Sequence, residues 1–187
     1  MKNKIQYKSY FQEYFKLLGI KKNIEKLNKI EKEIKKIKKN KSKIILIGNG
    51  GSAATAGHLL VDFTKQAGIK AINFNEISLI TAFANDCGFE NYISKALEFY
   101  AYKKDLVIFI SVSGNSKNLV NGIKYCRKKN IKTVSFTGSN KNNKLNMYSN
   151  ISLHIPSYAY NIVECMHLMY LTYLVDKIIG RSVYKVS

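Results

Sequence analysis

Two short clusters of glycine and serine have the composition of anion-binding turns. The first is Gly48-Asn49-Gly50-Gly51-Ser52, and the second runs from Ser111 to Ser116 around Gly114. Glycines let the backbone approach a ligand closely, and a helix that begins at such a turn offers unpaired N–H groups and a positive dipole end. Neither cluster has the spacing of a dinucleotide motif or the lysine of a P-loop. We therefore expect a bound phosphate and no nucleotide cofactor.

The second cluster favours a phosphate monoester as the ligand. Ser111, Ser113 and Ser116 supply three hydroxyl groups directly before a predicted helix. Taken alone, the first cluster could be a plain strand-to-helix turn, and Ser116 is also a good helix cap. Two such turns in one sheet indicate a phosphorylated small molecule lying across both. The absence of G-x-S-x-G disfavours a serine nucleophile.

Two pairs of titratable residues could supply acid/base chemistry or bind a metal. His58 and Asp62 are four residues apart on the helix after the first cluster, so they share a helical face. Such a pair is also common on protein surfaces. Glu164 and His167 are three apart in an otherwise apolar helix, where burying a carboxylate and an imidazole is costly unless they are partnered or functional. The second pair is therefore the stronger functional candidate.

Alternating strand and helix patterns would position these residues. Short apolar runs stop at each cluster and helical stretches follow, as expected for parallel strands connected by crossover helices. The pattern predicts an α/β fold with a doubly wound parallel sheet and helices on both faces, whose ligands bind at the carboxyl ends of the strands. The predicted strands are 43–47, 106–110, 133–136 and 151–155, and the predicted later helices are 117–129 and 160–179, the latter capped by Gly180.

The N-terminal part of the chain predicts an amphipathic helix. Apolar residues recur every three or four positions between residues 20 and 39, and lysines cover the other face. We expect a helical region over residues 1–42, packed on the main domain or on a neighbouring subunit, and a single domain over 43–187 that binds the phosphorylated molecule. The predicted apolar stripe consists of Ile20, Ile24, Leu27, Ile30, Ile34 and Ile37.

The charge of the chain raises the question of nucleic acid. The 187 residues carry 31 Lys+Arg against 12 Asp+Glu, a formal net charge of +19. Residues 1–43 hold 15 of the lysines and only 4 glutamates, arginine is scarce, and no known nucleic-acid-binding motif is present. A solvated lysine face is the favoured interpretation. The three cysteines form no C-x-x-C pair, which fits a reducing cytoplasm, and no segment predicts a signal peptide or a membrane span.

Three segments together resemble the sugar isomerase (SIS) domain family, in its phosphoheptose isomerase branch. They are 47–58 (IGNGGSAATAGH), 84–89 (ANDCGF) and 110–116 (ISVSGNS). The resemblance implies a flavodoxin-like sheet of five parallel strands and a homotetramer with sites between subunits. It also implies conversion of sedoheptulose 7-phosphate into D-glycero-D-manno-heptose 7-phosphate, which supplies heptose for lipopolysaccharide or capsule.

The resemblance also assigns roles to individual residues. Asn85 and Asp86 would contact the sugar, and Val112 stands where the family has a threonine. His58 and Asp62 match a zinc-binding His and Glu of the family, so zinc is the expected cofactor. We expect a rearranged centre in which Asp62, Glu164 and His167 are catalytic and His58, Asp62, Glu164 and His167 bind the metal. The residues lining the sugar phosphate would be Asn49, Gly50, Gly51, Ser52, Ser111, Val112, Ser113 and Ser116.

The last helix departs from the family pattern of Gln-Glu-x-His followed five residues later by a second His. If Glu164 occupies the Gln position, Thr172 replaces the later His; if Glu164 matches the Glu, Leu171 replaces it. Both alignments lose the usual base. Two alternatives therefore stay open, a non-catalytic SIS protein that binds a phosphosugar or regulates, and an isomerase of a different sugar phosphate.

Overall fold

A sheet of five parallel strands lies at the centre of the protein, in the order β2-β1-β3-β4-β5. The computed structural model describes residues 6–183. The strands are β1 (Ile44–Gly48), β2 (Ala71–Asn73), β3 (Leu106–Ser111), β4 (Lys132–Thr137) and β5 (Ile151–His154). The predicted doubly wound, flavodoxin-like α/β fold is confirmed. The strand order reverses between β1 and β3, and this reversal opens a crevice at their carboxyl ends.

Helices cover both faces of the sheet. On one side pack α1 (Tyr7–Leu18), α2 (Lys21–Lys39), α3 (Gly51–Val61) and α8 (Tyr160–Ile179), and on the other α4 (Ile77–Cys87), α5 (Tyr92–Tyr100), α6 (Lys117–Lys128) and α7 (Lys144–Tyr148). Alternate residues of each central strand point to opposite faces. Leu46 and Ile108 therefore belong to the first core, whereas Ile47 and Phe109 belong to the second.

The predicted helices at 117–129 and 160–179 are confirmed almost to the residue. Gly180 ends α8 in the left-handed region at φ 86°, where glycine has no steric penalty. Strand β2 was not predicted from its sequence. It has only three residues, all half-buried, so it gives neither an apolar run nor a clear alternation. Helix α3 continues into a π-helical turn from Asp62 to Gln66, in which Ala67 N–H donates to Asp62 O at 3.0 Å.

The N-terminal region forms two helices and shares the core of the sheet. Leu27, Ile30, Ile34 and Ile37 of α2 are buried against β5 and α8 as the stripe predicts. Ile24 was predicted to belong to this stripe, but 49% of it is exposed. The buried position next to it is Asn23, whose Nδ2 donates to His154 O at 3.2 Å. Among the described residues, no helix is both long enough and apolar enough to cross a membrane.

Candidate active site

The first glycine turn connects β1 to α3 at the crevice. Gly50 has φ 52°, and a β-carbon on Gly48 would lie 2.6 Å from the backbone of Ser52, so the turn requires glycine at both positions. Asn49 was predicted to line the phosphate, but its amide forms two reciprocal hydrogen bonds with the amide of Asn118 at 3.0 and 2.9 Å. This pair ties the first turn to the start of α6. No pattern at the sequence level indicated Asn118, which is buried.

The serine turn connects β3 to α6 beside the first turn. Gly114 N–H donates to Ser111 Oγ at 3.1 Å, and Asn115 N–H donates to Ser113 Oγ at 3.3 Å. Ser116 is at the N-cap of α6, but its side chain caps no N–H group. Its hydroxyl is therefore free to meet a ligand, as is the hydrogen of Ser113.

Val112 was predicted to help hold the phosphate, at a position where the family has a threonine. Its side chain is buried in the core with only 4% exposed, and its carbonyl accepts from Gly138 N–H at 2.9 Å. The side chain of valine has no hydroxyl group that could donate a hydrogen bond to a phosphate. Because the side chain is buried, only the backbone N–H of Val112 is left to meet a phosphate, and this contact stays a prediction.

A buried asparagine holds the serine turn from behind. Asn143 is fully buried, and its side chain packs directly on the Cα of Gly114, which has φ 64°. Its Nδ2 donates to Asn140 O at 2.8 Å and to Thr137 Oγ1 at 3.3 Å, and its Oδ1 caps α7 by accepting from Asn146 N–H at 3.0 Å. Leu145 N–H also donates to Gly114 O at 3.0 Å. The conformation of the serine turn therefore depends on the segment before α7.

A cavity of about 360 Å³ opens beside the first turn, on the side of α4 and α5. Its wall includes two polar residues that the sequence did not single out. Asn75 Nδ2 donates to Ala53 O at 2.7 Å, and Tyr92 is buried, which raises the pKa of its hydroxyl. Asn85 and Asp86 lie on the exposed face of α4 and hydrogen-bond to each other at 3.2 Å without lining this cavity. Their contact with the sugar stays a prediction.

Glu164 is the carboxylate that the fold brings to the crevice. It projects from α8 onto Gly51, where a β-carbon would lie 2.5 Å from Oε1 and 2.6 Å from Oε2. The Oε1 atom is buried and has no hydrogen-bond partner within residues 6–183. A buried acceptor without a partner costs stability, so this oxygen is suited to a donor brought by a ligand. Gly51 accordingly has two uses, since it begins α3 and leaves room for the carboxylate.

His167 is enclosed by the core. It is fully buried, its ring lies edge-on to Phe136 with centroids 6.1 Å apart, and neither ring nitrogen has a hydrogen-bond partner in the described chain. Burial lowers the pKa of His167 to about 4, which the nearby Thr137 backbone offsets only in part. The ring is therefore neutral at neutral pH and shielded from solvent. The predicted catalytic and metal-binding roles of His167 are not supported, because the core encloses it.

The four predicted metal ligands do not come together as one group in the part of the chain that the structure describes. His58 Nε2 lies 3.1 Å from Asp62 Oδ2, so this pair forms as predicted. Gly51, where the Glu164 carboxylate lies, is seven residues before His58, which at ~1.5 Å per residue places it about 10 Å away along α3. No three His, Cys, Asp or Glu side chains of residues 6–183 are arranged to hold a metal ion. The predicted four-ligand centre is therefore not assembled within residues 6–183, and metal binding by these residues stays a prediction.

The sheet order, with the two turns at its switch point, defines a doubly wound α/β protein. The family model described as "SIS domain" matches residues 6–138. The chain is 37% identical to the phosphoheptose isomerase of Aliarcobacter butzleri over 153 residues, 79% of each chain, and 32% identical to that of Helicobacter pylori strain P12 over 177 residues, 89% of this chain and 92% of the relative. The chain belongs to the SIS domain family, in its phosphoheptose isomerase branch.

Solved structures agree with this family. The phosphoheptose isomerase of Neisseria gonorrhoeae superposes with a TM-score of 0.82 at 25% identity, covering 91% of this chain and 96% of that one. The NanR protein of Vibrio vulnificus, in a complex with ManNAc-6P, superposes with a TM-score of 0.65 at 18% identity, covering 90% of this chain and 60% of that one. The second likeness concerns the fold alone.

Proposed function

We propose that this protein is an aldose–ketose isomerase that converts sedoheptulose 7-phosphate into D-glycero-D-manno-heptose 7-phosphate. The phosphoheptose isomerases among its relatives support this substrate. The observation that carries the proposal is the position of Glu164, whose unpartnered carboxylate lies on Gly51 at the first of two adjacent turns suited to phosphate. A phosphosugar held by the turns would place its carbon chain within reach of that carboxylate.

The reaction needs one base and a protected site. Glu164 takes a proton from C1 of the ketose while the carbonyl oxygen at C2 gains one, which gives the enediol. Glu164 then gives a proton to C2 as O1 loses its own, so the net change moves one hydrogen from C1 to C2 and one from O1 to O2. General base catalysis of this kind contributes about 10² to 10⁴-fold to a rate. The hydroxyls of Ser113 and Ser116 and the N-terminal N–H groups of α6 hold the phosphate at the far end of the sugar.

The finer parts of the proposal rest on the family resemblance. They are a homotetramer with sites between subunits, a cytoplasmic location, supply of heptose to lipopolysaccharide or capsule, and zinc. Within the described chain only His58 and Asp62 stand together, so a zinc ion there would require donors from a second copy of the chain. Metal analysis of the purified protein, together with its mass in solution, tests both points.

The activity is tested by incubating the protein with sedoheptulose 7-phosphate and following the aldose C1 proton by NMR. In D₂O, exchange with solvent during the enediol step would leave deuterium at C2 of the product. Formation of the aldose at a rate proportional to enzyme concentration supports the proposal. No turnover at high enzyme concentration, with tight binding of the same sugar phosphate, would instead favour a non-catalytic binding or regulatory protein.

One observation favours a non-catalytic binding or regulatory protein. His167 is enclosed by the core, and neither Leu171 nor Thr172 can replace an imidazole in proton transfer. If Glu164 alone did not suffice, the intact turns would still bind a phosphosugar. Parallel incubations with other ketose phosphates separate this alternative from a change of substrate.

A further inference from the structure

A second cavity lies at the edge of the sheet opposite the glycine and serine turns. It has a volume of about 570 Å³ and is formed where Lys103 approaches β3, Lys132 begins β4, and Asn150 approaches β5. These are the amino ends of the strands. Five residue steps along β4, at ~3.3 Å each, separate Lys132 from Thr137 by roughly 16 Å. The cavity is therefore distinct from the proposed active site.

The charges lining this cavity all have the same sign. Lys103, Arg127 and Lys132 are part of its wall, and no Asp or Glu is. None of the three cations forms an ion pair with a residue of the described chain. The guanidinium of Arg127 lies 5.8 Å from the centre of the Tyr148 ring. Lys124 Nζ lies 5.7 Å from the same ring centre, which adds a fourth cation next to the cavity.

Most polar groups that remain free in the cavity are hydrogen-bond donors. Asn150 Oδ1 already accepts from the N–H of Thr133 at 2.8 Å and from its hydroxyl at 3.1 Å, and the hydroxyl of Ser149 donates to Leu145 O at 2.8 Å. This leaves the Asn150 amide N–H groups and the three cations as donors, together with the Asn130 amide and the Tyr148 hydroxyl, each of which can donate or accept. A wall of donors with three positive charges fits a ligand that supplies acceptors and negative charge.

The size and the neighbourhood of the cavity narrow the ligand class. Its volume lies in the usual range for small-molecule sites. A third cavity, also of about 570 Å³, lies beside it. It shares Lys103 with the cavity described above and is also lined by Lys41, Lys70 and Lys104. The one carboxylate there, Asp105, is already paired with Lys43 at 2.6 Å. Arg127 provides the planar fork that suits phosphate oxygens, in a chain that otherwise uses lysine almost throughout.

We propose that the cavity lined by Lys103, Arg127 and Lys132 binds a small anion with two or more phosphate groups. Inorganic polyphosphate and nucleoside polyphosphates share this chemistry. The site is independent of the proposed isomerase reaction, because its residues lie at the other edge of the sheet.

The test is calorimetric titration of the full-length protein with inorganic triphosphate in 0.15 M salt. Saturable binding is expected, and the double variant Arg127→Gln/Lys132→Gln should weaken it about tenfold or more. The control Lys21→Gln/Lys22→Gln removes the same charge from exposed positions at the start of α2, next to Asn23, which bonds to the carboxyl end of β5. It should change the affinity less than about twofold, because general attraction to a basic protein is screened at this salt.

Two further titrations, with ATP and with an oligonucleotide, identify the ligand class and can contradict the proposed site. ATP that binds as tightly as triphosphate assigns recognition to the phosphate chain, and tighter ATP binding adds a contact with the nucleoside. Equal losses in both double variants, or no saturable binding, would overturn the proposal. Tighter binding of a single-stranded oligonucleotide than of triphosphate would also overturn it, if Arg127→Gln/Lys132→Gln removed that binding. A raised KM for the sugar phosphate in the same variant would overturn it as well.

Discussion

The carboxylate of Glu164 occupies the space that a side chain on Gly51 would fill, with Oε1 only 2.5 Å from the position of the missing β-carbon. The two residues belong to helices far apart in the chain, α8 and α3. Their contact places a carboxylate at the start of the helix whose N–H groups face the crevice. The identity of residue 51 and the position of the proposed base are therefore linked.

Gly51→Ala should abolish most activity at little cost in stability. Because atoms without a bond pack at roughly 3.5 Å or more, the carboxylate would move by about 1 Å, and a misplacement of that size can lower a rate about 10²-fold. The side chain of Glu164 can swing aside, and alanine favours a helix. Steady-state kinetics and thermal unfolding measure the two effects.

Gly57→Ala is the matched control for folding, because it adds the same methyl group to α3 with nothing nearer than Asn75 Nδ2 at 3.8 Å. Equal melting temperatures for the two variants are expected. A Gly51→Ala protein with the kcat of the wild type would show that the contact with Glu164 has no role in the reaction.

Glu164→Gln should lower kcat by about 10² to 10⁴-fold with a small change in KM, because glutamine keeps the shape but cannot accept the proton. Glu98→Gln is the control. Glu98 is exposed on α5 and pairs with Lys95 at 3.0 Å, and such a surface pair has little energetic effect. Retention of most of the wild-type kcat by Glu164→Gln, in the NMR assay of aldose formation, would require a different base.

Asn143→Ala should raise the KM for the sugar phosphate about tenfold while kcat falls less, because the serine turn loses the side chain packed on Gly114. Asn150→Ala is a matched control, because Asn143 and Asn150 bond to opposite ends of the same strand, β4. Asn150 holds the other end of β4 through Thr133, so both variants should lose about 1 to 3 kcal/mol of stability.

Only Asn143→Ala should affect KM. Asn143→Ser keeps a residue that can cap α7 but lacks the amide that packs on Gly114. It should therefore be more stable than Asn143→Ala, while its KM for the sugar phosphate should stay nearly as high. An equal rise in KM in Asn143→Ala and Asn150→Ala would mean that Asn143 acts on stability alone.

His167 should make the protein less stable in mild acid. Its pKa falls from an ordinary 6.5 to about 4 on folding, so the unfolded chain binds the proton more readily than the native protein. Stability from this residue is complete above pH 6.5 and is lost as the pH falls towards 4, by about 3 kcal/mol. Burial also lowers the pKa of His154, with Lys26 and Lys141 adding to the effect, so this residue acts in the same direction.

His167→Leu should flatten that pH dependence and keep the activity at pH 7.5 within about twofold, because leucine needs no hydrogen-bond partner in the core. Urea unfolding at several pH values and the isomerase assay measure these outcomes. A large loss of kcat would return His167 to the catalytic group that the sequence predicted. An unchanged slope of stability against pH would contradict the burial of a neutral imidazole.

Much of the fold was predictable because the relevant signals are local. The two turns follow apolar runs and contain glycines and serines at fixed positions, and α8 has an unbroken helical pattern that ends at Gly180. The three residues of β2 are too few for such a signal. Ile24 fits the apolar stripe of α2, yet it is exposed because Asn23 fills the neighbouring buried position and bonds to His154.

The candidate site was only partly predictable, because its details depend on contacts between distant segments. Glu164 was identified from a carboxylate on an apolar helix, and its position on Gly51 is consistent with that interpretation. The same reasoning singled out His167, three residues later, which faces the core instead. The roles of Asn118 and Asn143 come from partners in other elements, Asn49 and Gly114, that no spacing along the chain relates to them.

The amide pair of Asn49 and Asn118 also bears on how the protein folds during synthesis. The two residues are 69 positions apart in the chain, and they meet only when β1 and β3 lie side by side. A ribosome-bound chain that ends before α6 has half of a binding site. A ligand that spans both turns can recognise only molecules whose central strands are already paired, and at a hundredfold excess over its Kd it would add about 2.7 kcal/mol to their stability. Such a ligand would therefore stabilise the paired arrangement of β1 and β3.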